Sequence, residues 1–306
     1  MRTHVTTYAD HAYAVADPHL RRNWSCECRV LLGRPHAAAS GSGRLHLGDP
    51  CRAASPSGEE SIRYASRAIS AHGCVVWIAF RWLRPEVAAA LFYGISSALL
   101  ALGLTRQGYA RLLIFLAYPY WAGMLTAQWT PLIAASAFFP MLLPATLAKP
   151  QIGLPVALTH VSWRGVLACL VFLLLTLIAL PSWPLLWIHQ FGYYEHFIPL
   201  LVLPGPLLIL ALWRYRDRDA WLLLLAAIMP QRWFFDAFIL WLIPKTRREI
   251  LFTAFFSWGA GIWRWYQYPH SFSQVGRWAV LVIYLPMFVV VLARIPAKPT
   301  TRGSSG

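Results

Sequence analysis

LLIFLAYPYWAGMLTAQWTPLIAASAFFPMLLPATLA, residues 112–148, is a run of 37 residues without a single charge. As one straight helix it would extend roughly 55 Å, at about 1.5 Å per residue. The hydrocarbon core of a bilayer is only about 30 Å thick. The run therefore has to turn back, and Gln128-Trp129-Thr130-Pro131 is the polar place for the turn.

Further apolar stretches surround this run. Membrane segments are expected at 87–104, 112–126, 131–148, 165–181, 197–213, 220–230, 236–244, 250–266 and 278–293. Several fall short of the 20 or so residues that a perpendicular helix needs. Pro119, Pro140, Pro144, Pro204 and Pro206 interrupt them, and broken helices are tolerated where neighbours or water satisfy the freed backbone groups. The expected fold is all-α: a polytopic transmembrane helix bundle of about eight or nine segments, some broken or re-entrant.

Composition agrees. The chain of 306 residues is 58% hydrophobic, 13% charged and holds 16 Trp, where a soluble domain carries about 25% charged residues. Trp121, Trp129, Trp163, Trp187, Trp213 and Trp221 lie near the ends of the apolar runs, as in an interfacial aromatic belt. The net charge of +15 raises the question of nucleic acid. The basic residues flank apolar runs instead of forming a solvated stripe, so the expected partners are membrane lipids and not nucleic acid.

Their order gives a topology. Arg106 and Arg111, Lys149 and Arg164, Arg214, Arg216 and Arg218, Lys245, Arg247 and Arg248, and Arg294, Lys298 and Arg302 fall on every second connection, 13 of the 16 Lys and Arg after residue 85. Only Arg232, Arg264 and Arg277 fall on the others. By the positive-inside rule the C-terminus is cytoplasmic. Residues 220–244 carry basic clusters on both sides yet are too short for two spans, so a re-entrant hairpin around Met229-Pro230-Gln231-Arg232 is expected.

Residues 1–85 differ. They are rich in Arg, His, Ser, Ala and Gly, hold 6 of the 10 His, and show neither a signal sequence nor a helical period. They read as an irregular N-terminal segment, before a membrane domain at 86–298 and a cytoplasmic tail at 299–306. Cys26-Glu27-Cys28 has one intervening residue, not the two to four of structural zinc pairs. His36 and His46 keep a metal possible, against the reading of Cys26, Cys28, Cys51 and Cys74 as free thiols.

The outer connections concentrate polar groups: Gln128, His189, Gln190, Glu195, His196, Gln231, Arg232, Asp236 and Arg264. Of six acids after residue 85, Asp217, Asp219 and Glu249 sit among inner arginines as surface ion pairs, and Glu86, Glu195 and Asp236 lie outside. An acid in a membrane bundle is a candidate for function; the competing reading is a helix cap or a pair with Arg232 or Arg264. Arg232 suits a phosphate through its planar fork, or pairs with Asp236 at i+4. Gln128 suits a sugar hydroxyl or caps the next helix. Lys149 reads first as an inner anchor, and alternatively as turned inward where Pro150 starts a second broken helix. Gly-rich phosphate loops, His-Glu-x-x-His and Gly-x-Ser-x-Gly are absent from the sequence.

Ala127-Gln128-Trp129-Thr130-Pro131-Leu132 and Ala148-Lys149-Pro150-Gln151-Ile152-Gly153-Leu154-Pro155 resemble the Gly-Gln-x-Ser-Pro-Leu and Lys-Pro-Gln-x-Gly-Leu elements of glycosyltransferase family 87, of the GT-C superfamily. Met229-Pro230-Gln231-Arg232-Trp233-Phe234-Phe235-Asp236 adds to the resemblance, which covers about residues 78–296. It implies a bacterial plasma-membrane enzyme that moves a sugar, commonly mannose, from a polyprenyl-phosphate donor to a lipid or glycan acceptor of the cell envelope on the outer face. Catalytic candidates are then Glu195 and Asp236. Substrate-binding candidates are Gln128, Lys149, Gln151, His196, Gln231, Arg232 and Arg264. No cofactor is implied, and a divalent metal stays open. The family places an essential acid on a first outer loop, and residues 1–77 have no counterpart of it, so an inactive, N-terminally truncated fragment is one alternative. A transporter or flippase of an amphipathic or anionic solute is the other.

Overall fold

The computed structural model describes residues 83–179, 181, 196–267 and 271–294. Cys26, Cys28, Cys51, Cys74, Glu195 and the whole expected N-terminal segment up to residue 82 lie outside the described residues. The chain divides into two compact units, Met1–Leu91 with Leu170–Tyr194, and Phe92–Cys169 with Glu195–Gly306. The first is described only at 83–91, 170–179 and 181, all helix or its flanks. The second holds the packed core and every described candidate for the site.

The described residues are helical and contain no strand. The α-helices are α1 (Pro85–Thr105), α2 (Tyr118–Met124), α3 (Thr130–Ala135), α4 (Pro150–Thr159), α5 (Trp163–Ala179), α6 (Arg218–Ile228), α7 (Arg247–Tyr266), α8 (Phe272–Ala279) and α9 (Leu285–Ala293). A π turn, Val280–Tyr284, joins α8 to α9. Between these run 3₁₀ helices, at Tyr109–Leu116, Pro140–Ala148, Pro199–Leu201, Gly205–Arg214 and Phe234–Leu242.

The uncharged run does break, and more often than expected. Residues 112–126 and 131–148 are not two continuous helices. They form part of one 3₁₀ helix, then α2, α3 and a second 3₁₀ helix. The prolines explain where the pieces start. Pro119, Pro131, Pro140, Pro150, Pro199 and Pro206 all stand in the first turn of a new element, where the missing N–H costs nothing. The turn anticipated at Gln128-Trp129-Thr130-Pro131 lies at 125–129, where Ala127 takes a φ of +46°. Two helices are long and apolar enough to cross a membrane, Glu86–Thr105 and Phe272–Ala293; Trp163–Ile178 and Gly205–Arg214 are apolar but shorter.

The expected re-entrant hairpin near residue 230 is a short extended connection. α6 ends at Ile228, and Gln231 exchanges two backbone hydrogen bonds of 2.8 Å with Phe197. The chain then enters the 3₁₀ helix Phe234–Leu242, which is buried along its entire length. Its sequence, FFDAFILWL, is apolar but for Asp236, so it becomes the centre of the packing rather than a face of it. α2, α3, α4 and α6 all pack against it. Its rise of about 2 Å per residue stretches it over ~18 Å. Arg111, itself buried, closes its C-terminal end by donating to the carbonyls of Leu242 and Pro244, which the helix leaves without partners.

At that same end the acids expected as surface pairs tie elements together. Asp217 caps α6, accepting the Asp219 N–H at 2.9 Å. Asp219 is buried and takes Lys245 at 2.6 Å and Arg294. Glu249 forms a capping box with Thr246 and accepts from Arg294 at 3.0 Å. Burial pushes the Glu249 carboxyl up, but Arg294 and the N–H groups of Lys245 and Thr246 outweigh it and hold it below the usual range. Arg294 at the end of α9 thereby joins the first turns of α6 and α7.

Candidate functional site

Lys149 is the centre of the site. It is the residue before α4, and Pro150 at the first position of that helix sets the direction of the chain. Gly153, one turn on, lets α4 lie directly against the preceding 3₁₀ helix: a Cβ there would overlap the Thr146 carbonyl. This close approach turns Lys149 into the unit and away from the solvated anchor that the charge pattern favours. Its Nζ donates to Gln128 Oε1 at 2.5 Å and to Asp236 Oδ1 at 3.2 Å, and stands 4.8 Å from the centroid of the Phe235 ring. About a fifth of its side chain remains exposed.

Asp236 is fully buried. Oδ1 faces Lys149, and Oδ2 accepts the backbone N–H groups of Arg232 at 3.0 Å and Trp233 at 3.4 Å. Both oxygens are engaged. In this arrangement Asp236 orients Lys149 and closes the turn before the central helix. The expected intrahelical pair with Arg232 is revised, because Arg232 lies ahead of that helix and meets Asp236 through its backbone N–H.

Gln128 does not cap the next helix. Trp129 is the N-cap of α3, without a side-chain bond, and the Gln128 amide donates instead to Thr126 O at 3.4 Å while its oxygen takes Lys149. Arg264, in the last turn of α7, lies 4.5 Å over the Trp233 ring, which places a second cation on the aromatic run beside Asp236. Gln151 follows in the first turn of α4, half-buried. His196 is exposed and stands opposite Arg232 in the antiparallel Phe197–Gln231 pair.

Gln231 does not belong to the site, contrary to expectation. Its side chain is fully buried and donates to Ala226 O at 3.0 Å and to the Tyr284 hydroxyl. It stitches α6 to the π turn, and Tyr284 in turn donates to Ala226 O at 3.2 Å. The site residues not anticipated from sequence are Phe235 and Trp233, the rings beneath Lys149 and Arg264. The aromatic run Trp233-Phe234-Phe235 is plain in the chain, but nothing in it tells which ring meets a lysine so far away. Among the described residues no group of three or more His, Cys, Asp or Glu comes together as for a metal.

The site thus offers an ammonium held between an amide and a buried carboxylate, with an arginine on a neighbouring ring. It can bind an anion from its exposed side while Asp236 holds the lysine in place. Comparisons with protein-family models, curated proteins and solved structures found no match.

Proposed function

We propose that the chain is a multi-pass membrane glycosyltransferase of the family 87 type, moving a sugar, mannose first among candidates, from a polyprenyl-phosphate donor to an acceptor of the cell envelope. The observation that carries this reading is convergence. The three stretches on which the resemblance rests are far apart in sequence, and they contribute Gln128, Lys149 and Asp236 to one hydrogen-bonded cluster. A chance resemblance in three short stretches gives no reason for them to meet.

A multi-pass arrangement is supported by what the helices expose. Ile178, Phe255 and Ile262 are 71%, 76% and 59% exposed. Each large apolar side chain left in water forgoes about 1.5–3 kcal/mol of burial, and in lipid that loss vanishes. Trp163, Trp213 and Trp265, also strongly exposed, stand at the ends of their elements, where an interfacial belt would place them. The cytoplasmic C-terminus belongs to the same proposal and rests on the charge pattern; the outer location of the site rests on Gln128, Asp236 and Arg264, and Lys149, which that pattern counts as inner, joins them through Gln128 and Asp236.

In the reaction the acceptor hydroxyl oxygen attacks the anomeric carbon. A new carbon–oxygen bond forms, and the bond to the phosphate oxygen breaks. Polyprenyl phosphate leaves with the electron pair, and Lys149 and Arg264 stabilise that charge. The proton passes to a carboxylate, and Glu195 takes that role here, since Asp236 is sealed.

The test is transfer of labelled mannose from polyprenyl-phosphate mannose in membranes that carry the full chain. Removing one donor to a developing anion costs about 10²–10³-fold in turnover, and that loss is expected for Lys149→Ala. Retention of wild-type rates in Lys149→Ala and Arg264→Ala together would sink the assignment. If wild type transfers nothing but moves a solute across the membrane, the broken helices belong to a transporter instead.

A further inference from the structure

We propose that the groove between the first turn of α7 and the last turn of α9 is a binding site for the headgroup of an anionic membrane phospholipid. This rests on the membrane reading above and not on glycosyl transfer. Arg248 and Glu249 with Phe252 form one wall, and Val289 and Ala293 with Arg294 form the other. The groove is therefore charged at its rim and apolar on its floor.

The charges at the rim do not balance. Asp219 and Glu249 are taken up by Lys245 and Arg294. Arg247 and Arg248 are both exposed and form no ion pair among the described residues. The Arg248 guanidinium therefore stands at the groove with its charge uncompensated, next in the chain to that of Arg247, and a guanidinium fork matches a phosphate.

The floor selects the kind of phosphate. Phe252 and Val289 are 40% and 51% exposed in the same groove as Arg248. The apolar surface continues one turn further along α7 through Phe255 and Phe256. A phosphodiester with acyl chains uses both parts, with the headgroup on the arginines and the chains along the phenyl rings. Inorganic phosphate would use only the rim. A zwitterionic headgroup brings its own cation against Arg248. Basic sites between helices on the cytoplasmic side are the recurrent setting for anionic lipid.

The experiment titrates the purified full chain in neutral detergent with short-chain phosphatidylglycerol, phosphatidylcholine or inorganic phosphate, with binding read by native mass spectrometry. Phosphatidylglycerol is expected to bind at least fivefold more tightly than phosphatidylcholine. Arg248→Gln should weaken it about fivefold, the effect of one cation near a lipid surface, with an unchanged melting temperature in the absence of lipid. Val289→Glu should abolish it. Arg164→Gln, which removes an exposed arginine at the start of α5, should leave it unaltered. Equal binding of the two lipids, equal competition by inorganic phosphate, or an equal loss in Arg164→Gln would overturn the proposal. The membrane reading is checked separately, by whether the chain stays in the pellet after carbonate extraction.

Discussion

Lys149 Nζ and Asp236 Oδ1, from residues 87 positions apart, meet at 3.2 Å, and the aspartate side of the pair is sealed from solvent. Removing one partner of a buried ion pair leaves a charge without compensation, at a cost of about 3–5 kcal/mol. Because Lys149 keeps partial exposure, Lys149→Met should fall at the lower end of that range. Asp236→Asn keeps an acceptor for the Arg232 and Trp233 N–H groups and should cost less. The double variant should lose less than the sum of the two, by about 0.5–3 kcal/mol of coupling. Melting curves in detergent measure the cycle, and strict additivity would show that the pair does not interact.

Ala127 sits at a φ of +46°. The left-handed region costs an L-residue roughly 1–2 kcal/mol and glycine nothing. Glycine gives back about 0.4–1 kcal/mol through its freer unfolded chain. Ala127→Gly should therefore stabilise by roughly 0.5–1 kcal/mol, and Ala127→Val should destabilise. A lowered melting temperature in Ala127→Gly would contradict the backbone geometry at this turn.

Gly153 lets α4 close on the 3₁₀ helix before it. Forcing a methyl group into such a contact costs about 1–3 kcal/mol. Gly153→Ala should lower stability by that amount and reduce transfer by moving Lys149. A Cβ added at Gly94 would meet nothing within 4 Å, so Gly94→Ala is the control and should be neutral or slightly stabilising. Equal behaviour of the two variants would count against the close approach.

His160 carries a pH dependence. Burial and then the Arg218 guanidinium push its pKa down to about 4. The unfolded chain takes up the proton near pH 6.5 and the folded chain does not. A depressed value means stability is present above about pH 6.5 and is lost as pH falls toward 4, levelling below it. His160→Gln should flatten that stretch of the stability curve. A wild-type curve with no slope between pH 6.5 and 4 would place His160 in water.

The helical class, the break in the uncharged run, and the place of Gln128, Lys149 and Arg264 among the candidates all follow from the sequence by itself. Proline positions and apolar run lengths are local properties, and they mark the element starts at Pro131, Pro140 and Pro150. What these residues face was decided by tertiary packing. The charge pattern favours Lys149 as an anchor, because a lysine after an apolar run is usually solvated; a glycine contact one turn away reverses it. Gln231 and Asp236 lie five residues apart, and from sequence both read as site residues. One bonds to Tyr284 in the core and the other orients Lys149. The direction of a side chain at a chain turn depends on packing by elements remote in sequence, and no local pattern records it.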